Sequence, residues 1–272
     1  MRRTKVLVAI TSAIVLAAAA GTAILRHPYP IVVRLKRRYP DVLFLVDTRK
    51  RIVALTIDDG PNAETTDSIL EVLASYSAHA TFFVIGSRIR GNEGTVRRIV
   101  ADGNELGNHL FTDRPSVRLS KDEFEQELLR TDQLISAFGQ AKWFRPGAGM
   151  FSQQMISTAH AHGYRCVLGS VYPFDPHIPS GWYIRHVIRR AVHPGAIIIL
   201  HDGPGRGPRT ADVLREVLPE LRARGYRVTT VSELWPAGLA TIRARKQITE
   251  RSCQQAHPEG ARSASQSSSP AR

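Results

Sequence analysis

Short apolar runs alternate with amphipathic segments from residue 51 onward. Residues 51–57 and 81–85 are rich in β-branched and aromatic side chains and have the length of buried strands. Residues 210–224 instead place apolar side chains three and four positions apart, as on one face of a helix. Repeated alternation of this kind predicts an α/β fold with a parallel sheet. A strand count near seven favours a closed barrel over an open sheet.

The chain divides into five segments by composition. An uncharged stretch near the amino terminus has the length of a membrane-spanning helix, and the basic residues before it favour a cytoplasmic amino terminus with the rest outside. A run of alanines within it also offers a small-residue cleavage site, so this stretch is an anchor or a signal peptide. The catalytic domain is therefore expected to be membrane-anchored and extracytoplasmic, or secreted. The predicted segments are a basic flank (1–5), the anchor or signal peptide (6–25), a basic linker (26–50), the catalytic domain (51–236) and a disordered polar tail (244–272).

The charge balance is strongly basic, with 37 Lys and Arg against 24 Asp and Glu and a formal net charge of +13. This excess suits an anionic envelope or membrane surface. The chain shows no recognisable nucleic-acid motif, so no nucleic-acid partner is predicted. Cys166 and Cys253 are far apart and indicate neither a disulfide framework nor a cysteine zinc site. The sequence leaves the oligomeric state open.

Polar side chains recur where predicted strands end. Asp58 and Asp59 close the strand over residues 51–57 and are followed by a Gly-Pro turn. Because successive strand residues point to opposite faces, we expect these two carboxylates to have different roles. The carboxyl ends of parallel strands meet at one face, so the other polar residues at strand ends are expected to join them there. These residues are His109, Asp113, Arg145, Asp175, His201 and Asp202.

His109 and Asp113 are four residues apart, which places an imidazole beside a carboxylate on one helical turn. Together with Asp59 they would offer three N and O ligands to a divalent metal and leave positions open for water and substrate. The alternative is a surface histidine and an aspartate that ends a turn. Tyr172 and Trp182 are candidates for stacking on a sugar, although aromatic residues near barrel loops more often serve packing.

Four motifs occur in order over residues 51–234: Thr-Ile-Asp-Asp-Gly-Pro, Gly-Asn-His-x-x-x-Asp, Phe-Arg-Pro-Gly-x-Gly and Ile-Leu-His-Asp-Gly. Their order and spacing resemble those of the polysaccharide deacetylase (NodB-like, carbohydrate esterase) family. The resemblance implies a distorted (β/α) barrel with about seven parallel strands. It also implies metal-dependent hydrolysis of N-acetyl or O-acetyl groups on chitin-like or peptidoglycan sugars.

The same resemblance assigns roles to individual residues. Asp58 matches the catalytic base and His201 the catalytic acid. Arg145 matches the arginine that keeps the base ionised, and Asp175 matches the acidic partner of the histidine more weakly. Ala148 stands where the family supplies a backbone N–H to the oxyanion. The implied metal ligands are Asp59, His109 and Asp113.

One departure from the family affects the metal. This chain has His-x-x-x-Asp where the family usually has His-x-x-x-His, and the extra carboxylate makes the site harder and more anionic. Zinc remains the first expectation, with manganese, cobalt, nickel or iron as further possibilities.

The sequence thus predicts a hydrolase that removes N-acetyl groups from amino sugars of an envelope polysaccharide through a metal-activated water. The predicted partners are an N-acetylated glycan and, through the amino-terminal segment, a membrane. The alternatives are an O-deacetylase, a hydrolase of small amides or lipid-linked sugars, and a barrel that binds glycans without catalysis.

Overall fold

The computed structural model describes residues 29–238. The predicted anchor or signal peptide (6–25) and the predicted polar tail (244–272) lie outside the described residues. Within residues 29–238, none of the helices is long and apolar enough to span a bilayer.

Eight strands form one sheet in which all ladder pairs are parallel. The order is β1-β6-β5-β4-β3-β2-β7, and β8 pairs with the start of β2. The strands are β1 Val42–Leu43, β2 Ile52–Gly60, β3 Ala80–Val84, β4 Glu105–Asn108, β5 Trp143–Phe144, β6 Arg165–Val167, β7 Ile197–His201 and β8 Arg227–Thr229. The helices are α1 Tyr29–Arg38, α2 Thr66–Ser75, α3 Glu93–Ala101, α4 Lys121–Ile135, α5 Gln153–Ala161, α6 Gly181–Ala191 and α7 Gly207–Ala223, and residues 231–238 are also helical.

The sheet closes on itself through short contacts between its two ends. Val171, which follows β6, forms a parallel bridge with Ile198 of β7, and Leu45 forms an antiparallel bridge with Ala196. Closure by single bridges distorts the barrel. The predicted distorted (β/α) barrel is confirmed.

Strand β2 is buried along its whole length and organises the two sides of the barrel wall. Val53, Leu55 and Ile57 belong to the large cluster that includes apolar residues of α2 and α7. Ala54 belongs instead to a smaller cluster with residues of β3, β5, β6 and β7, on the inner side. This alternation along β2 places Asp58 on the inner side, at the carboxyl end of the barrel.

The region predicted as a basic linker (26–50) contains α1 and β1, which the sequence did not reveal. Val32 of α1 is buried in a cluster with Val42 and Phe44, and Lys36 pairs with Asp47 at 2.7 Å. This helix has a single buried apolar residue and many basic ones, so its sequence shows no clear helical periodicity.

Candidate active site

Asp58 ends the inner face of β2 and is bound by a buried arginine. Arg145 Nη1 donates to Asp58 Oδ1 at 2.5 Å and to Thr56 Oγ1 at 2.6 Å. Its Nε donates to the main-chain oxygen of Val167 at 3.1 Å, and its guanidinium lies 4.1 Å from the centre of the Phe83 ring. Arg145 is 2% exposed. A buried guanidinium with so many fixed partners holds the Asp58 carboxylate in one position.

His201, the last residue of β7, faces Asp58 from the neighbouring strand. Its Nε2 lies 4.0 Å from Asp58 Oδ2. Asp175 binds the other side of the ring, with Oδ1 3.0 Å from Nδ1, and its Oδ2 accepts the His201 main-chain N–H at 3.0 Å. Burial alone would lower the pKa of His201, but the hydrogen bond and charge of Asp175 and the charges of Asp58 and Asp59 raise it. The ring is therefore held ready to carry a proton at Nε2.

A bulge at the end of β2 gives the second carboxylate a different environment. The register with β3 shifts between Asp58 and Gly60, and Asp59 between them has φ +70°. Its Oδ1 lies 3.4 Å from His109 Nε2 and its Oδ2 accepts from Arg206 Nη1 at 2.7 Å. Burial alone would raise the pKa of Asp59, but the hydrogen bond and charge of His109 and the charges of His201 and Arg206 hold it well below its usual range.

His109 is buried directly after β4, with Nδ1 2.8 Å from the main-chain oxygen of Arg145. A ring that donates from Nδ1 to a carbonyl presents Nε2 to Asp59. Burial would lower the pKa of His109, but its hydrogen bond to Asp59 and the charges of Asp58 and Asp59 raise it.

Asp113 lies apart from Asp59 and His109. Its side chain is 54% exposed, and Oδ2 accepts from Arg88 Nη2 at 2.8 Å. The preceding residue, Thr112, is held by Glu127, which accepts from its main-chain N–H at 3.0 Å. Among residues 29–238, no group of three His, Cys, Asp or Glu side chains is placed to hold a metal ion. The structure thus brings together two of the three expected ligands.

These features agree with the relatives of the chain. A family model described as polysaccharide deacetylase matches residues 45–167. A peptidoglycan-N-acetylglucosamine deacetylase of Bacillus cereus is 35% identical over 204 residues, which cover 71% of this chain and 92% of the relative. The chain belongs to the polysaccharide deacetylase family. It is a hydrolase of the class that acts on amide bonds.

Other similar proteins are described as having different activities. A chitooligosaccharide deacetylase of Bradyrhizobium is 34% identical over 213 residues, covering 73% of this chain and 95% of that protein. A CE4 family pseudoenzyme from Bacillus anthracis matches with a TM-score of 0.66 at 28% identity, over 71% of this chain and 68% of its own. A family 4 acetyl xylan esterase from Clostridium thermocellum, solved with a cobalt ion, gives a TM-score of 0.62 at 30% identity, over 67% and 89%.

Deacetylases of this family are generally metal-dependent, so the fit of a metal to this site can be tested. Asp59 and His109 are both buried and offer an oxygen and a nitrogen that face each other, which is the donor chemistry that divalent ions take. Arg206 already places a positive charge on Asp59 Oδ2. The pair therefore fits a divalent ion, whereas Asp113 as placed does not add a third ligand.

The deacetylase's expected oxyanion donor, Ala148, lies three residues after Arg145 in a tight turn. It is exposed and has φ +57°. Its neighbour Gly147 donates its N–H to Ser116 Oγ at 2.6 Å, and a Cβ at Gly147 would lie 2.4 Å from the Arg114 main-chain oxygen. The turn is thus fixed from one side, and the role of the Ala148 N–H stays a prediction.

The sequence did not reveal two further arginines beside Asp59, Arg88 and Arg206. Arg206 lies in a glycine-rich loop, and Arg88 donates both to the Asp59 main-chain oxygen and to Asp113. Asp202, which the sequence marks only as a residue at a strand end, is fully buried and accepts from the hydroxyls of Thr65 and Thr66. Their surroundings carry no periodic pattern, and only their nearness to Asp59 or to the His-Asp-Gly motif hints at them.

Tyr172 and Phe174 form an aromatic pair beside His201. Their ring centres are 4.6 Å apart, and Tyr172 lies 6.0 Å from the His201 ring. Phe174 is 44% exposed, with φ +55°. Trp182 is 62% exposed and stacks on His186. Tyr172 therefore lies where a substrate contact was expected, whereas the recorded ring contact of Trp182 is with a histidine of its own helix.

Proposed function

We propose that the protein removes N-acetyl groups from amino sugars of an envelope polysaccharide, chitin-like or peptidoglycan. The observation that carries this proposal is the arrangement of Asp58 and His201. Their facing atoms are 4.0 Å apart, and each is supported from behind by a different buried group, Arg145 and Asp175. Amide hydrolysis needs one group to take a proton and another to give one, and this pair supplies both.

In this mechanism Asp58 accepts a proton from water as the water oxygen adds to the acetyl carbonyl. The C–N bond then breaks as His201 Nε2 gives its proton to the leaving nitrogen, which yields acetate and a free amine. Asp175 holds the ring in orientation and stabilises its protonated form. A divalent ion on Asp59 and His109 would polarise the carbonyl and make water more acidic.

The substrate class follows from the relatives and the charge. Relatives named as peptidoglycan and chitooligosaccharide deacetylases support an N-acetylated glycan, and the net charge of +13 suits an anionic envelope. In this proposal the catalytic domain works outside the cytoplasmic membrane, anchored by residues 6–25 or secreted after their cleavage. The native metal is proposed to be zinc, with manganese, cobalt, nickel or iron as alternatives.

Two rivals have specific support. The acetyl xylan esterase neighbour favours O-deacetylation as an alternative. The pseudoenzyme neighbour favours a barrel that binds glycans without catalysis. Against the second rival, base, acid and both of their supporting groups are present and in contact in this chain.

The test combines metal content with acetate release from N-acetylated chitooligosaccharides and peptidoglycan fragments, using the full chain, Asp58→Asn and Asp212→Asn. Asp212 is an exposed carboxylate on α7 that pairs with Arg215, so its variant is the matched control. We expect acetate release that chelation stops and one divalent ion restores, a loss of roughly 10²–10⁴-fold in Asp58→Asn, and no loss in Asp212→Asn.

The other outcomes separate the rivals. Release of acetate from acetylated xylan but from neither N-acetylated glycan would indicate an O-deacetylase. Glycan binding without release of acetate from any substrate would indicate a binding barrel.

A further inference from the structure

Two arginines form ion pairs with the carboxylates that the family pattern would assign to a metal. Arg206 Nη1 lies 2.7 Å from Asp59 Oδ2, and Arg88 Nη2 lies 2.8 Å from Asp113 Oδ2. Arg88 also donates to the main-chain oxygen of Asp59. The Asp59 carboxylate thus has one oxygen facing His109 and the other bound to the Arg206 guanidinium.

A divalent ion and the Arg206 guanidinium compete for the same carboxylate. Two cations that share one buried carboxylate repel each other strongly, because Asp59 is only 6% exposed and water screens the charges poorly there. An ion that binds Asp59 and His109 therefore displaces Arg206 or binds against its charge.

The surroundings of Arg206 allow it to move away. Its side chain is 29% exposed, so the guanidinium has a path to solvent. The loop that carries it is held at its base by Asp202, whose carboxylate accepts from Thr65, Thr66 and the Gly203 N–H. The long arginine side chain can thus leave while the loop backbone stays in place.

We propose that Arg206 is a built-in counter-cation of Asp59 that must swing away before a divalent ion binds, so that it sets the metal affinity of the site. This inference rests on the metal-dependent function proposed above. Removal of Arg206 should therefore raise the affinity of the site for a divalent ion, whereas removal of a metal ligand would lower it.

The experiment titrates the metal-stripped full chain with Co²⁺ and with Zn²⁺ by calorimetry, and follows the visible absorption of bound Co²⁺. The chains compared are the wild type, Arg206→Gln and Arg215→Gln. Arg215 lies on the same helix, where it pairs with the exposed Asp212, so its variant loses the same charge away from the site. We expect Arg206→Gln to bind the ions roughly tenfold more tightly than wild type, and Arg215→Gln to match wild type.

Equal affinity of wild type and Arg206→Gln would overturn the inference, as would weaker binding by Arg206→Gln, since Arg206 would then support the metal site. A failure of Arg206→Gln to bind either ion while its thermal unfolding is unchanged would overturn it as well. The acetate assay is read separately. Acetate release that resists chelation removes the metal from the proposed function, whereas chelator-sensitive release with unchanged affinity in Arg206→Gln removes only the role of Arg206.

Discussion

At the scale of single residues, the site is a set of buried charges that each have an oppositely charged partner. Asp58 is bound by Arg145, His201 by Asp175, and Asp59 by His109 and Arg206. A charge buried without a partner would cost several kcal/mol, so each partner allows the other to stay buried and charged. Burial would lower the pKa of His201, but the hydrogen bond and charge of Asp175 support the charged form of its ring.

The pairing of His201 with Asp175 predicts a shift in pH dependence. Asp175 contributes most to raising the pKa of His201 against the effect of burial. An acid with a raised pKa stays protonated to higher pH, so activity that needs it is present below that pKa and is lost as pH rises through it. In Asp175→Asn the pKa of His201 should fall, and the alkaline limb of kcat/KM for acetate release should move to lower pH.

The measurement is the pH profile of kcat/KM between about pH 5 and 9, with Asp212→Asn as the carboxylate control. A lower rate with an unchanged alkaline limb would contradict the prediction and would leave Asp175 the role of orienting the ring alone.

The residues that could be predicted were those that stand at the ends of apolar runs. Asp58 and His201 lie near the carboxyl ends of β2 and β7. His109 and Arg145 directly follow β4 and β5, and the barrel brings all four positions to one edge. Arg88 and Arg206 follow no such rule, because an arginine in a loop finds its partner only when the chain has folded. Asp113 was placed with His109 by helical spacing, but residues 109–113 are not helical.

At the scale of elements, local signals determined where helices start, and tertiary contacts determined how strands end. Ser120 and Glu123 are three residues apart, which is the spacing of a capping box, and both reciprocal hydrogen bonds of that box are present. The bulge at Asp59 had no such signal. Alternation along β2 predicted different roles for the two carboxylates, and the structure gives them different partners. The positive φ at Asp59 and the register shift against β3 carried no such signal in the sequence.

The capping box predicts a measurable share of stability. Ser120→Ala removes the acceptor for the Glu123 N–H at the start of α4 and should lower the free energy of unfolding by about 1 kcal/mol. Ser136→Ala, at the other end of the same helix, removes a hydroxyl that donates to the Gln133 main-chain oxygen at an exposed position, and should change it by less than about 0.5 kcal/mol.

Urea unfolding followed by circular dichroism compares the two variants with wild type, and acetate release serves as the check that the site is intact. Equal losses in both variants would show that the capping box contributes no more than an exposed hydroxyl.

At the scale of the whole molecule, the described chain enters the barrel at the end opposite to Asp58 and His201. The Tyr29 ring, at the start of α1, lies 4.7 Å from the ring of His193, which precedes β7. His201 ends the same strand. Because β7 runs from one end of the barrel to the other, Tyr29 lies at the end opposite to Asp58 and His201.

This arrangement predicts which substrates an anchored enzyme reaches. If residues 6–25 hold the chain in a bilayer, the catalytic end points away from the membrane, toward glycans of the envelope and away from sugars carried by lipids in that membrane. We expect the full chain in phospholipid vesicles to release acetate from soluble peptidoglycan fragments about as fast as the detergent-solubilised chain does. The same vesicles should release little acetate from an N-acetylated amino sugar that is carried by one of their own lipids.

The measurement is the ratio of the two rates of acetate release in vesicles, with the lipid-linked sugar in detergent as the control for chemical reactivity. A preference for the lipid-linked sugar in vesicles would require the catalytic end to face the membrane, and would favour a lipid-linked sugar as the substrate over a polysaccharide.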